Sequence, residues 1–96
     1  MQREEVLSIL KVYKRDFSDK YGILEIGVFG SLARNEAGDD SDVDICIKIK
    51  KPDPFSLVHI KEDIECRVKK HVDIIRMREK MNPYLRQRIE KDAVYV

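Results

Sequence analysis

The sequence predicts an α+β fold, in which helices pack on a small mixed β-sheet. Apolar residues recur at helical intervals in some segments and form short β-branched runs in others, with no internal repeat or low-complexity tract between them. At 96 residues the chain has the length of one domain, so we expect a single domain over residues 1–96. Hydrophobic residues make up 43% and charged residues 39%, which is typical of a soluble globular domain and not of a disordered chain.

The first half of the chain is predicted to form a helix, a strand and a second, short helix. Apolar side chains recur at steps of three and four over residues 3–21, which indicates an amphipathic helix that ends at a glycine. Residues 23–29 are apolar and β-branched and therefore read as a mostly buried strand. Ser31 is a favourable N-cap, so we expect a short helix over residues 32–37 that ends at Gly38.

The second half is predicted to add two strands, two helices and a C-terminal segment. After a polar loop at residues 39–41, apolar and polar residues alternate with period two, which indicates a strand. Two prolines then mark a turn. The expected elements are a strand over residues 42–49, a helix capped by Ser56 that runs to about residue 70, a strand over 72–75, a helix over 84–91 with Pro83 near its start, and a short strand or frayed tail over 93–96.

Several classes of protein are excluded by composition. Glu25 interrupts the best apolar run, so nothing approaches the roughly 18 to 20 residues of a membrane-spanning helix. Residues 1–5 lack the features of a signal peptide, so we expect a cytoplasmic protein. The net charge of +1 argues against strong nucleic-acid binding driven by charge. Cys46 and Cys66 lie in apolar segments without CxxC spacing, and we expect both to be reduced, buried and metal-free.

Two aspartates on the second predicted strand point to a cation site. Asp42 and Asp44 are two residues apart, so their side chains leave the same face of the strand. Like charges held that close repel unless solvent or a cation neutralises them, and hard oxygen ligands of this kind suit Mg²⁺. Because Mg²⁺ fills the rest of its coordination sphere with water and phosphate oxygens, a phosphate site is expected nearby.

Gly30 and Ser31 are the candidates for that phosphate site, and Asp73 is the candidate for a third carboxylate. A glycine lets the backbone approach a phosphate, and the serine hydroxyl adds a donor at the start of a helix. If the strand with Asp73 lies beside the strand with Asp42 and Asp44, its carboxylate can bind a second metal or take a proton from an attacking hydroxyl. Phosphoryl or nucleotidyl transfer requires this set of groups.

Each of these features has an ordinary alternative. The Gly30–Ser31 pair can be a plain strand-to-helix turn, and residues 39–44 can be a solvated acidic loop. Asp73 can be a strand residue paired with Arg76 or Arg78. Chance seldom combines all three at this fixed spacing, so together they favour the transfer site.

The sequence resembles a known family at these residues. Residues 29–34 (FGSLAR) and 41–45 (SDVDI) look like the signature of the DNA polymerase beta-like nucleotidyltransferase superfamily, in its minimal, single-domain (MNT) branch. The resemblance extends from the strand at residue 23 through Asp73. It implies a nucleotidyltransferase core that uses Mg²⁺ and takes ATP as co-substrate.

The resemblance also implies residue roles and a partner. Gly30 and Ser31 would hold the triphosphate, Asp42 and Asp44 would bind Mg²⁺, and Asp73 would be the third catalytic carboxylate and metal ligand. Proteins of that branch are commonly antitoxins that silence a HEPN-domain ribonuclease toxin by transferring AMP to one of its tyrosines.

Four further residues carry weaker expectations. Asn35 stands where the family most often has glycine, and we expect it to adopt a left-handed conformation at modest cost. Arg34 matches a family position that can steady phosphates, or else it is a surface base paired with Glu36, Asp39 or Asp40. His59 is expected to be a packing or surface residue, and His71, at the start of the third strand, is only slightly more interesting.

Three functions remain open. The first is an Mg²⁺-dependent transferase that acts on a protein partner, since 96 residues leave no room for an acceptor-binding domain of its own. The second is an antitoxin that binds nucleotide and neutralises its partner by occlusion. The third is a transferase for a small-molecule hydroxyl, which would need a dimer to complete the pocket. A homo-oligomer or hetero-oligomer is compatible with each of them.

Overall fold

The structure is a computed structural model that describes residues 2–38 and 40–96. The elements in chain order are α1 (Arg3–Tyr21), β1 (Ile23–Phe29), α2 (Gly30–Ala33), β2 (Val43–Ile49), α3 (Pro54–Val68), β3 (Val72–Arg76), α4 (Pro83–Asp92) and β4 (Val94–Tyr95). The predicted α+β class is confirmed, and α1 and β1 have the predicted bounds. The C-terminal segment forms a strand and not a frayed tail, because β4 pairs with β1.

The four strands form one mixed sheet in the order β3-β2-β1-β4. β1 runs antiparallel to both β2 and β4, while β2 and β3 are parallel. A parallel pair needs a crossover connection, and α3 supplies it between β2 and β3. The crossover brings the start of β3 beside the start of β2, which is the arrangement on which the candidate site depends.

The two faces of the sheet are packed differently. One face carries the main core, in which Val43 and Ile45 of β2 pack with α1 and α3. On the other face Phe29 and Cys46 pack against Ile89 of α4. Because strand side chains alternate between faces, Asp44 lies on the α4 face, whereas Asp42 directly precedes β2 and is not part of the strand as predicted.

Two predicted helix caps were wrong. Ser31 lies inside α2, whose N-cap is Phe29, and α2 ends at Ala33, well short of the predicted end. α3 begins earlier than predicted, because the Asp53 side chain accepts a hydrogen bond from the Phe55 N–H and Pro54 occupies the first turn. Both are stronger start signals than Ser56, since proline fixes a helical φ and aspartate is a favourable N-cap.

The cysteines differ from each other. Both are free; Cys46 is buried as predicted, whereas Cys66 lies on the exposed side of α3, so the prediction that it is buried was wrong. No helix within the described ranges is both long and apolar enough to cross a membrane.

Candidate active site

Strand register aligns the central residues of the site. Phe29, the last residue of β1, is the partner of Asp44 on β2, and Asp44 is in turn the partner of Asp73 on β3. Adjacent strands lie roughly 4.8 Å apart, so the two carboxylates start from neighbouring positions on one face. The strand with Asp73 lies beside the strand with Asp44, so the condition for a role of Asp73 in the site is met.

Gly30 follows Phe29 at a position that only glycine fits. Its φ of +75° is in the left-handed region. A Cβ on Gly30 would collide with Oδ2 of Asp44. The glycine therefore allows the backbone at the end of β1 to approach the Asp44 carboxylate closely.

Ser31 leaves its hydroxyl available. Within residues 2–38 and 40–96 its backbone carbonyl accepts a bond from the Glu36 N–H, at 2.8 Å, and its side chain makes no hydrogen bond. Arg34 is the C-cap of the short helix, and Asn35 after it adopts φ +58°. The expected left-handed conformation of Asn35 is confirmed.

Burial and neighbouring negative charge both act on the Asp44 carboxyl group. Partial burial, together with the negative charges of Asp73 and Asp42, raises its pKa, while Arg88 and Arg34 act in the opposite direction. Ionised carboxylates crowded in this way favour a cation that would neutralise them. Their oxygens are the hard ligands that Mg²⁺ prefers, so this donor set fits the expected metal.

Asp42 and Asp73 are joined by a residue that sequence reasoning underrated. One ligand atom from each of Asp42, His71 and Asp73 lies within 4.8 Å of the others. Oδ1 of Asp73 lies 3.3 Å from Nε2 of His71, and among the described residues Asp73 makes no ion pair with Arg76 or Arg78, which the alternative interpretation supposed. His71 and Asp73 are two residues apart, so the strand period was the available signal for this pair.

Arg34 is held by two carboxylates. Its guanidinium lies 3.0 Å from Glu36 and 2.6 Å from Asp92 at the end of α4. Both contacts raise the pKa of the arginine. The predicted ion pair of Arg34 with Glu36 is present, and the ion pair with Asp92 was not predicted. The alternative partner Asp39 lies outside the described residues. Phosphate binding by Arg34 stays a prediction.

A cleft beside Asp44 and Asp73 offers room for a second substrate. It has a volume of about 340 Å³ and lies along β3, the edge strand of the sheet. Its apolar lining includes Ile75 and Leu85, and Lys61 and Arg88 contribute positive charge. Lys61 was not singled out from the sequence, because its helix meets the site only after folding.

A mixed sheet with aligned carboxylates at one end and a strand-to-helix glycine beside them defines a nucleotidyltransferase core. The chain belongs to the nucleotidyltransferase domain family, whose model matches residues 10–96. The protein is therefore an enzyme of the nucleotidyltransferase class.

Similar proteins lie close in sequence and in length. The chain is 34% identical over 94 residues to the protein adenylyltransferase MntA of Thermococcus cleftensis, covering 97% of this chain and 94% of that protein. It is 33% identical over 93 residues to a protein of Methanocaldococcus jannaschii assigned as a protein adenylyltransferase, covering 96% and 95%.

Solved structures share the fold. A protein assigned as a minimal nucleotidyltransferase superimposes with a TM-score of 0.77 at 26% identity, covering 98% of this chain and 95% of that one. A toxin-antitoxin structure with AMP-PNP gives a TM-score of 0.74 at 18% identity, covering 99% and 72%. The second likeness is one of fold alone.

Proposed function

We propose that the protein is an Mg²⁺-dependent protein adenylyltransferase, which transfers AMP from ATP to a tyrosine of a HEPN-domain toxin and so acts as an antitoxin. The observation that carries this proposal is the alignment of Phe29, Asp44 and Asp73 across three neighbouring strands, with Gly30 directly after Phe29 and against the Asp44 carboxylate. Relatives of nearly the same length that are named protein adenylyltransferases favour a protein as the acceptor.

The nucleotide side of the site is formed by Gly30 and Ser31. The absence of a side chain at Gly30 leaves the backbone open next to Asp44, where a phosphate can come close. The Ser31 hydroxyl has no partner among the described residues and is free to donate to a phosphate oxygen. These two residues would hold the triphosphate with its α-phosphorus facing the carboxylates.

The metal side of the site is formed by Asp42, Asp44 and Asp73. When bound, Mg²⁺ would neutralise the charge that develops on the phosphates and on the departing pyrophosphate. The chain's own contribution is to hold the carboxylates rigidly. Asp44 is fixed between two paired strands, with Asp73 directly opposite on β3.

The cleft along β3 is the proposed binding place of the acceptor, the group that receives AMP. Asp73 lines this cleft and its side chain is 51% exposed. Asp73 accepts the proton of the tyrosine hydroxyl, and the freed oxygen forms a bond to the α-phosphorus. The bond from that phosphorus to the bridging oxygen breaks, and pyrophosphate leaves with the electron pair. Lys61 and Arg88 in the cleft favour an acceptor segment that carries negative charge.

Co-expression with the partner tests the proposal. The partner's mass is measured after co-expression with wild-type protein and with Asp73→Asn, a nearly isosteric change that should keep ATP binding while it removes the proton acceptor. We expect added AMP with wild-type protein and none with Asp73→Asn. Asp40→Asn is the matched control, because it makes the same change at an exposed aspartate outside the three carboxylates, and it should behave as wild type.

One result would defeat the transferase proposal. If wild-type protein and Asp73→Asn both silence the partner and neither adds AMP, the protein neutralises by occlusion. AMP found on a small molecule, with an unmodified partner, would instead favour a small-molecule acceptor.

A further inference from the structure

His71 lies close to the carboxylates of Asp42 and Asp73. It directly precedes β3, and its backbone carbonyl accepts a 2.9 Å hydrogen bond from the Val43 N–H of β2. The ring Nε2 is 3.3 Å from Oδ1 of Asp73, and a ligand atom of Asp42 lies within the same 4.8 Å group. The pairing of β2 with β3 thus fixes the position of the His71 backbone beside Asp42 and Asp73.

Glu65 of α3 fixes how the ring is turned. Its Oε2 lies 3.2 Å from Nδ1 of His71 and also accepts a 2.9 Å hydrogen bond from the Val72 N–H. Glu65 is therefore anchored to β3, and its carboxylate faces Nδ1 of the imidazole. A neutral ring that holds its proton on Nδ1, beside Glu65, presents the lone pair of Nε2 to Asp42 and Asp73.

A carboxylate behind a histidine is the usual support of a metal ligand. Histidines that bind metals nearly always donate the second ring N–H to a carboxylate or carbonyl, which fixes the tautomer and makes the ligating nitrogen more basic. Glu65 is placed as the supporting carboxylate behind His71, and Asp42 and Asp73 lie on the other side of the ring.

We propose that Asp42, His71 and Asp73 form a mixed nitrogen and oxygen site for a divalent transition-metal ion, with Glu65 as the support of His71. The inference rests on the proposed function, because two of its ligands are the carboxylates that serve AMP transfer. It adds a nitrogen ligand to a set that otherwise offers only carboxylate oxygens.

The distances suit such an ion. Ligands roughly 2.1 Å from an octahedral metal are about 3.0 Å apart when adjacent and about 4.2 Å apart when opposite. The 3.3 Å between Nε2 of His71 and Oδ1 of Asp73 fits adjacent positions. All three ligand atoms lie within 4.8 Å of one another. A movement of roughly half an ångström, which exposed side chains make easily, would bring the most distant pair to the spacing of ligands on opposite sides of the metal.

The nitrogen ligand determines which metal is favoured. Imidazole suits Fe²⁺, Ni²⁺ and Zn²⁺, and affinities for nitrogen-containing sites rise from Mn²⁺ through Co²⁺ toward Ni²⁺. Mg²⁺ gains little from a nitrogen because it prefers oxygen. His71 should therefore strengthen transition-metal binding while it leaves Mg²⁺ affinity nearly unchanged.

Co²⁺ alone, without nucleotide or partner, is the probe. Proton NMR of the Co²⁺-loaded protein should show a paramagnetically shifted, solvent-exchangeable resonance from the Nδ1–H of a bound imidazole. His71→Gln and His71→Ala should lose it and bind Co²⁺ at least about tenfold more weakly, with Mg²⁺ affinity changed by less than about threefold. Glu65→Gln should weaken Co²⁺ by about tenfold or more, the usual effect of losing such a support.

The chain offers a matched control, because it contains only two histidines. His59 is exposed on α3, and His59→Gln should keep both the resonance and the affinity. A wild-type protein without the shifted resonance, a His71→Gln protein that retains it, or an unchanged Co²⁺ affinity would each overturn the site. Melting curves of the variants establish that they are folded.

AMP transfer with Mg²⁺ is measured in parallel. A Co²⁺ site that depends on His71, in a protein that transfers no AMP, would leave the site standing and defeat the proposed function. AMP transfer by a protein that shows no His71-dependent Co²⁺ site would support the proposed function and defeat the site.

Discussion

Replacing Gly30 with alanine should lower both stability and transfer. At φ +75° an alanine costs about 1 to 2 kcal/mol relative to glycine. Its Cβ would also collide with Oδ2 of Asp44, which has to leave its rotamer at a cost of roughly 0.5 to 1.5 kcal/mol. We expect the free energy of unfolding to fall by about 2 kcal/mol, which corresponds to a drop of roughly 8 to 16 °C in Tm for a domain of this size.

The displaced carboxylate should reduce the transfer rate further. Moving a catalytic group by about 1 Å typically costs about 100-fold in rate, and Asp44 cannot stay in place beside a Cβ. The assay is transfer of labelled AMP from ATP, read beside thermal melting followed by circular dichroism. Gly38→Ala is the matched control, because a Cβ there meets nothing within 4 Å, and both readouts should stay close to wild type.

A double-mutant cycle separates the two contributions. In an Asp44→Ala background the collision is gone and only the backbone cost of about 1 to 2 kcal/mol remains. If Gly30→Ala costs the same in both backgrounds, the contact with Asp44 has no energetic weight. If it costs no more than Gly38→Ala, the conformational argument is refuted as well.

The remaining predictions address the site and the core. Asp42→Asn and Asp44→Asn should each abolish AMP transfer with the fold intact, and a variant with near wild-type transfer would reject the metal assignment. Burial and neighbouring charge raise the pKa of Asp44, so its ionised form destabilises the folded state at neutral pH. Asp44→Asn should therefore have a higher Tm than wild type at pH 7. The difference in Tm should shrink as the pH falls through the raised pKa toward the ordinary aspartate value of 3.8. A difference in Tm that stays constant with pH would contradict this. Ser31→Ala should reduce ATP affinity by tens-fold in calorimetry, since one charge-assisted hydrogen bond contributes roughly 1.5 to 3 kcal/mol, with Tm unchanged because the hydroxyl caps no helix. Tyr13→Phe removes the 2.8 Å bond from the buried tyrosine to Asp63 and should cost about 1.5 kcal/mol in urea unfolding while AMP transfer persists; unchanged stability would show that this bond contributes nothing.

Local patterns determined most of the fold prediction. The apolar stripe of α1 with its terminal glycine and the β-branched run of β1 each occur in one contiguous segment, so local sequence alone predicted their bounds. The start of α2 was misplaced for a different reason. Gly30 adopts its left-handed φ beside Asp44. This contact joins the end of β1 to the neighbouring strand β2, so local capping preferences at Ser31 did not reveal it.

The same limit applies to the candidate site. The spacing of Asp42 and Asp44 was readable because it depends on one strand only. Glu65 becomes the support of His71 only when α3 has packed against β3, and no periodicity in the sequence marks that contact. Residues that act through tertiary contacts were therefore the ones that sequence reasoning missed or underrated.

Strand register links the hydrophobic core to the chemistry of the site. Val43 and Ile45 are 2% and 0% exposed on the core face, and they flank Asp44 on the opposite face. A slip of β2 by one residue would turn the Asp44 carboxylate into the core and expose these two side chains, at roughly 1.5 to 3 kcal/mol for each apolar side chain lost from burial. The slip would also break the alignment of Asp44 with Phe29 and Asp73. The apolar residues that flank Asp44 therefore hold the carboxylates in line, even though they face away from the substrates.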